Sequence, residues 1–248
     1  MPPSPRTDFP FHNGEPVRLE GRQWLLVLLA LVAAFVTLLI PVPAGAMPWG
    51  RFVPALLFCT LPLAGLAGAA GRSGVMALFP RWRTSDWGWM VGIAALNLLV
   101  TLAIGWTLQT VHHVSPNPMF NQLAHADNLT RVLAFAAMVP QLLGEELLTV
   151  LPLLACLWWL RTRTRLRPGT AIALAWLVSA LPFALLHLPT YQWDLVQCLV
   201  VIGSARLLLT LAYLATRNLA VSTGAHVLND WALFATGLMF ASSSPGVS

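Results

Sequence analysis

Long apolar runs separated by short polar stretches organise the 248-residue chain, covering 24–40, 52–70, 89–108, 132–160, 171–187, 195–215 and 219–240. About 20 apolar residues, rising 1.5 Å each in a helix, cross the hydrocarbon core of a bilayer. The pattern therefore predicts an all-α, polytopic membrane helical bundle with about seven transmembrane helices. The fourth run is longer than one crossing needs, and Pro140 and Pro152 are expected to kink it. Residues 1–22 are polar and rich in proline and charge, so a disordered lead is expected there, ahead of a single integral-membrane domain over 23–240. Ala44-Gly45-Ala46 resembles a signal-peptidase site, but the run before it is long for such a signal and the lead is extended, so an uncleaved first span is expected. Residues 72–87, with Arg72, Arg81, Trp82, Arg83 and Trp87, read as an amphipathic connector at the membrane interface, and 109–130 as a polar loop.

Composition sharpens this picture. Only 9% of residues are charged and 57% are hydrophobic, with mean hydropathy +0.72, whereas a soluble domain carries about a quarter charged residues. The net charge of +5 comes entirely from arginine, since the chain has no lysine. These arginines sit between apolar runs and act as topology signals, which argues against nucleic-acid binding. Arg6, Arg18 and Arg22, then Arg72, Arg81 and Arg83, then Arg161, Arg163, Arg165 and Arg167, then Arg217, fall on alternate loops; the other loops hold only Arg51 and Arg131. The positive-inside rule places the N-terminus in the cytosol, with a bacterial inner (plasma) membrane as the expected location. Cys59, Cys156 and Cys198 lie inside apolar runs and imply no disulfide framework.

The chemistry lies in the few polar side chains left inside spans: Glu145, Glu146, His187, Arg206, His226 and Asp230. A carboxylate at mid-bilayer costs about 2.5–3.5 kcal/mol or more, so two adjacent ones need a reason. Neighbours on a helix point about 100° apart, so Glu145 and Glu146 serve different surroundings. Phe183 and His187 are four apart, as are His226 and Asp230, with Asn229 three from His226; each set shares one helix face. His112, His113 and His125 lie in the polar loop without a metal-ligand spacing. The zinc-helix sequence His-Glu-x-x-His is absent, a catalytic serine elbow is not evident, and no pair of intramembrane aspartates on separate spans occurs.

Glu145-Glu146, then Phe183-x-x-x-His187, then His226-x-x-x-Asp230, in that order on separate spans, resembles the CAAX prenyl endopeptidase and bacterial CPBP (Abi) family of intramembrane endopeptidases. The resemblance covers about 130–240, the motif-bearing core of the expected peptidase domain. It implies peptide-bond hydrolysis in membrane-associated substrates by a glutamate-activated water, in contact with the bilayer. Glu145 corresponds to the general base, His187 positions the water, and His226 with Asn229 or Asp230 polarises the scissile carbonyl; Glu146 and Phe183 support them. The family arginine four residues after the second glutamate is replaced by Val150. Arg206 on the sixth run is a candidate to pair with Glu146 across helices, because two isolated intramembrane charges of opposite sign favour pairing; the alternatives are a pairing with Asp230 or a place on the wall of a watery cavity. A metal-free mechanism is expected, with zinc on Glu145, His187 and His226 as the alternative. The rival function class is a non-catalytic membrane scaffold, or a proton-coupled transporter using the same Glu, His and Arg residues. Counted along vertical spans, His187 and His226 lie at different depths, so their convergence is a matter for the tertiary structure.

Overall fold

The computed structural model describes residues 8–43, 46 and 48–243, with side chains as far as residue 240; residues 1–7 of the lead, Ala44, Gly45, Met47 and the last five residues lie outside the described residues. Among the described residues the chain is helical, without strands. The helices are α1 (Gly21–Leu38), α2 (Phe52–Ala77), α3 (Thr84–Gln109), α4 (Pro118–Ala124), α5 (Asn128–Arg163), α6 (Pro168–Leu186), α7 (Leu195–Gln197), α8 (Ser204–Thr216) and α9 (Leu219–Ser243). A π-helical stretch, Cys198–Gly203, joins α7 to α8. Among the described residues, six segments are long and apolar enough to cross a membrane: α1, Trp49–Ala77, α3, α5, α6 and Leu195–Thr216. The 25-residue α9 is a seventh long helix, and it carries the polar His226, Asn229 and Asp230. The protein is an all-α integral-membrane helical bundle.

Local sequence explains where the helices begin. Glu20 and Gln23 form a reciprocal capping box at α1. The Asn117 and Asp127 side chains accept from the backbone of Met119 and Thr130 to start α4 and α5. Pro118 and Pro168 occupy first-turn positions, where the missing N–H costs nothing. The 36-residue α5 runs on through Pro140 and Pro152 as one helix. The segment expected as an interfacial connector is divided between the end of α2, bent at Gly71 (φ 66°), a short link, and the start of α3. The polar loop at 109–130 contains the short helix α4.

Helix α5 is the axis of the bundle and packs against α1, α2, α6 and α9, with α8 also touching it. Its leucines, from Leu147 to Leu160, share a core with Leu66 of α2, Ala171 and Ala175 of α6, and Tyr213 of α8. Val150 is fully buried in that core. A Cβ at Gly144 would collide with the Phe58 ring, so glycine is what lets α2 approach α5 immediately before the glutamate pair.

From Asp8 onward the N-terminal lead folds back over the bundle, burying Phe9, Phe11 and Leu19. Phe11 meets Trp24 edge-on at 5.7 Å, and the Arg217 guanidinium lies 3.6 Å from the Phe9 ring centroid. Burial of these three large apolar side chains, at about 1.5–3 kcal/mol each, offsets part of the ordering entropy of the stretch. The lead thereby covers the turn between α8 and α9, where Asn218 and Leu219 are buried. The Leu219 N–H donates to the Leu78 carbonyl at 2.8 Å. Depth along α9 therefore counts from a covered turn within the bundle.

Candidate active site

Four helices aim their in-span polar side chains at one place. Glu145 on α5, His187 at the C-terminal cap of α6, Arg206 on α8, and His226, Asn229 and Asp230 on α9 all line a cavity of about 260 Å³. His187 and His226, separated in depth by simple counting, thus share this space.

The two glutamates have different surroundings. Glu146 is completely buried. Its Oε1 accepts from Arg206 Nη2 at 2.6 Å and from His226 Nδ1 at 2.9 Å. The expected cross-helix pairing of Arg206 with Glu146 is present, linking residues 60 apart in sequence. An arginine at position 150 would have to enter the leucine core occupied by Val150, whereas Arg206 reaches Glu146 from a facing helix. Arg206 is held further by Nε donation to Thr210 Oγ1 at 3.3 Å and by the Phe183 ring, 5.0 Å from its guanidinium carbon. Glu145, one residue earlier, faces the cavity, and its Oε1 accepts from Gln141 Nε2 at 3.2 Å.

Hydrogen-bond partners assign the histidine protons. The His187 Nδ1 lies 2.8 Å from the Phe183 carbonyl, which only accepts, so Nδ1 carries hydrogen and neutral His187 presents a lone pair at Nε2. The His187 and Phe183 rings are 4.7 Å apart, so Phe183 contacts both His187 and Arg206. His226 Nδ1 likewise donates to Glu146, which turns Nε2 towards Glu145 Oε2 at 3.9 Å and Asp230 Oδ1 at 3.7 Å. A carboxylate fixing one imidazole nitrogen sets the tautomer and the aim of the other. Asp230 accepts from Asn229 Nδ2 at 2.9 Å.

Residues 127–232 match the family model for the type II CAAX prenyl endopeptidase Rce1-like family. The chain carries an Rce1-like domain. No curated protein and no solved structure matches the chain. The Rce1-like segment contains every side chain the sequence singled out for the site, from Glu145 to Asp230.

Other lining residues were not singled out, and some lie before that segment. Asn97 and Thr101 of α3 lie along the same cavity as Gln141 and Tyr191. An amide in the middle of a bilayer-length apolar run is a signal of its own, of the same kind as the glutamates. Tyr191 carries no comparable signal. Its hydroxyl oxygen accepts from Asn117 Nδ2 at 3.2 Å, and burial pushes it up to about 12, so it remains a neutral hydroxyl.

Zinc, the alternative, would fall to Glu145, His187 and His226. Among the described residues no group of three or more His, Cys, Asp or Glu side chains is arranged to hold a metal ion. Protein engages Nδ1 of both His187 and His226, which leaves Nε2 as the outward nitrogen of each ring, and His226 Nε2 lies 3.9 Å from Glu145 Oε2.

Proposed function

We propose that the protein is an intramembrane endopeptidase of the CAAX type, hydrolysing peptide bonds of membrane-associated substrates with a water activated by Glu145. The carrying observation is that Glu145, the glutamate not tethered to Arg206, faces the cavity shared by His187 and His226. In this reading Glu145 takes a proton from water as the oxygen attacks the scissile carbonyl carbon. The same proton passes to the amine as the C–N bond breaks. His187 Nε2 accepts from the water and orients it. His226, protonated and held by Glu146, donates from Nε2 to the developing oxyanion, with Asp230 steadying the imidazolium. Arg206, Glu146 and Phe183 hold that histidine and the helix faces in place.

The geometry supports this more than a proton relay, because the buried Arg206–Glu146 pair is locked by short hydrogen bonds and the family match is to endopeptidases. The test is cleavage of an internally quenched peptide ending in a prenylated Cys-aliphatic-aliphatic-X sequence by purified protein in detergent or nanodiscs. Wild type cleaves it; Glu145→Gln, His187→Ala and His226→Ala do not. Strong chelators leave the rate unchanged; full inhibition reversed by zinc would overturn the metal-free step.

The proposed orientation keeps the N-terminus and the arginine loop at 161–167 in the cytosol. In a background without the native cysteines, an impermeant thiol reagent applied outside labels a cysteine at the exposed Val111 but not one at the exposed Thr162. The opposite labelling reverses the topology.

A further inference from the structure

The catalytic groups all come from α5 to α9, yet the cavity has a further wall on α3. Asn97 is fully buried there. Its Nδ2 donates to Asn229 Oδ1 at 3.0 Å, and Asn229 Nδ2 donates to Asp230 Oδ1 at 2.9 Å. This chain of contacts fixes the amide orientations from one end. A carboxylate at Asp230 accepts only, so the Asn229 NH₂ must face it; the Asn229 oxygen then faces α3, and the Asn97 NH₂ must face that oxygen. Asn97 Oδ1 is left buried, without a partner, on a residue that lines the cavity.

Thr101, one turn further along α3, shows the same condition. Thr60, Thr107, Thr210 and Thr216 each return their hydroxyl to the carbonyl four residues earlier, the usual resting place of a helical threonine. The Thr101 Oγ1 is buried and makes no hydrogen bond. A buried polar atom without a partner is destabilising, and here two of them stand four residues apart on one helix face beside a cavity. One helical turn, about 5.4 Å, is close to the roughly 6.6 Å spacing of successive groups along one edge of an extended peptide.

We propose that Asn97 and Thr101 form a hydrogen-bonding ledge for the backbone of an extended peptide substrate, with Asn97 Oδ1 accepting from a substrate N–H and the Thr101 hydroxyl donating to a substrate carbonyl. This rests on the peptidase reading and adds the element that holds the chain beside Glu145. Because both contacts are to backbone, the ledge is indifferent to substrate side chains. Its chemistry demands an unfolded, extended segment and disfavours a substrate still in a helix, whose N–H and carbonyl groups are already paired.

The experiment is a backbone scan of the quenched prenylated peptide, with one amide N-methylated at a time, against wild type, Asn97→Ala and Thr101→Val. In wild type, one N-methyl position near the scissile bond lowers kcat/KM by about tenfold, the loss of one well-made hydrogen bond. In Asn97→Ala that particular penalty falls to below about twofold, while penalties at other positions persist. Thr101→Val, which is nearly isosteric, raises KM about three- to tenfold with little change in kcat. A purely structural role for Asn97, through Asn229, would slow all peptides alike and leave the N-methyl profile unchanged. An unchanged profile in Asn97→Ala, or an unchanged KM in Thr101→Val, overturns the ledge while leaving the peptidase intact. A wild type that cleaves none of the peptides overturns the peptidase reading and the ledge with it.

Discussion

The two sides of α5 at the glutamate pair differ in nearly every physical respect. On the side facing α8 and α9, Glu146 is closed off from solvent and shares one oxygen between Arg206 and His226. On the cavity side, Glu145 has a single neutral partner in Gln141 and an oxygen within 3.9 Å of His226 Nε2. A buried charge must be paired to be tolerated, whereas a catalytic base must keep a face free for water. One helix can offer both surroundings, as the proposed role of Glu145 requires, because adjacent residues point about 100° apart. His226 is the link, with one ring nitrogen on each side of the division.

The largest effect should come from the cavity side. Glu145→Gln is expected to lower peptide cleavage by about 10²–10⁴-fold, the usual worth of a general base, without shifting the unfolding transition. A large stability loss in that variant would mean that Glu145 is also an anchor and would erase the contrast. On the anchored side the expectation is reversed. Glu146→Leu and Arg206→Leu should each cost about 3–5 kcal/mol, because each strands a buried partner, and the double variant should recover much of that. If the two losses simply add in denaturant unfolding, the pair is not energetically coupled.

Smaller effects probe how tightly the pair is positioned. Gly144→Ala drives a methyl group into the Phe58 ring, and should cost about 1–3 kcal/mol while displacing Glu145 enough to reduce activity. Full activity in that variant would show that α2 does not set the position of the base. Asp230→Asn should keep at least about a tenth of wild-type activity, since an amide oxygen can still accept from Asn229. Complete inactivity there would make the negative charge itself essential.

The smallest effect concerns the far end of the cavity, where the 110–117 loop is tied to the turn before α7. His112 Nε2 lies 2.7 Å from Asp194 Oδ2, and Ser115 exchanges two hydrogen bonds with Gln197. The Gln197 backbone N–H, with His112 adding to it, holds the Asp194 carboxyl below the usual carboxylate range. A folded value below the unfolded one contributes stability that is present above about pH 3.9 and is lost as the pH falls through the folded value. Hydrogen exchange at 187–197 should therefore quicken modestly below pH 4 in wild type and much less so in Asp194→Asn. Equal acid sensitivity in both would remove Asp194 from the latch.

Hydropathy alone determined the helices and, with them, the class of protein. The spans expected at 195–215 and 219–240 coincide closely with Leu195–Thr216 and Leu219–Ser243, because exclusion of unpaired backbone from lipid makes an apolar run of that length helical. The polar exceptions were legible for the same reason: a charge costly in lipid stands out, as Glu145, Glu146, Arg206 and His226 do. What only the tertiary structure decided was partnership. Which glutamate is tethered depends on α8 and α9 arriving from 60 and 80 residues away. The lead is polar on average, and the surface against which Phe9, Phe11 and Leu19 are buried is one that no local window contains. Asn97 was visible as a letter, but its free oxygen follows from Asn229 and Asp230, and that contact spans 132 residues. Burial of apolar length is a sum over neighbours in sequence, whereas hydrogen-bond satisfaction inside a bundle is settled between neighbours in space.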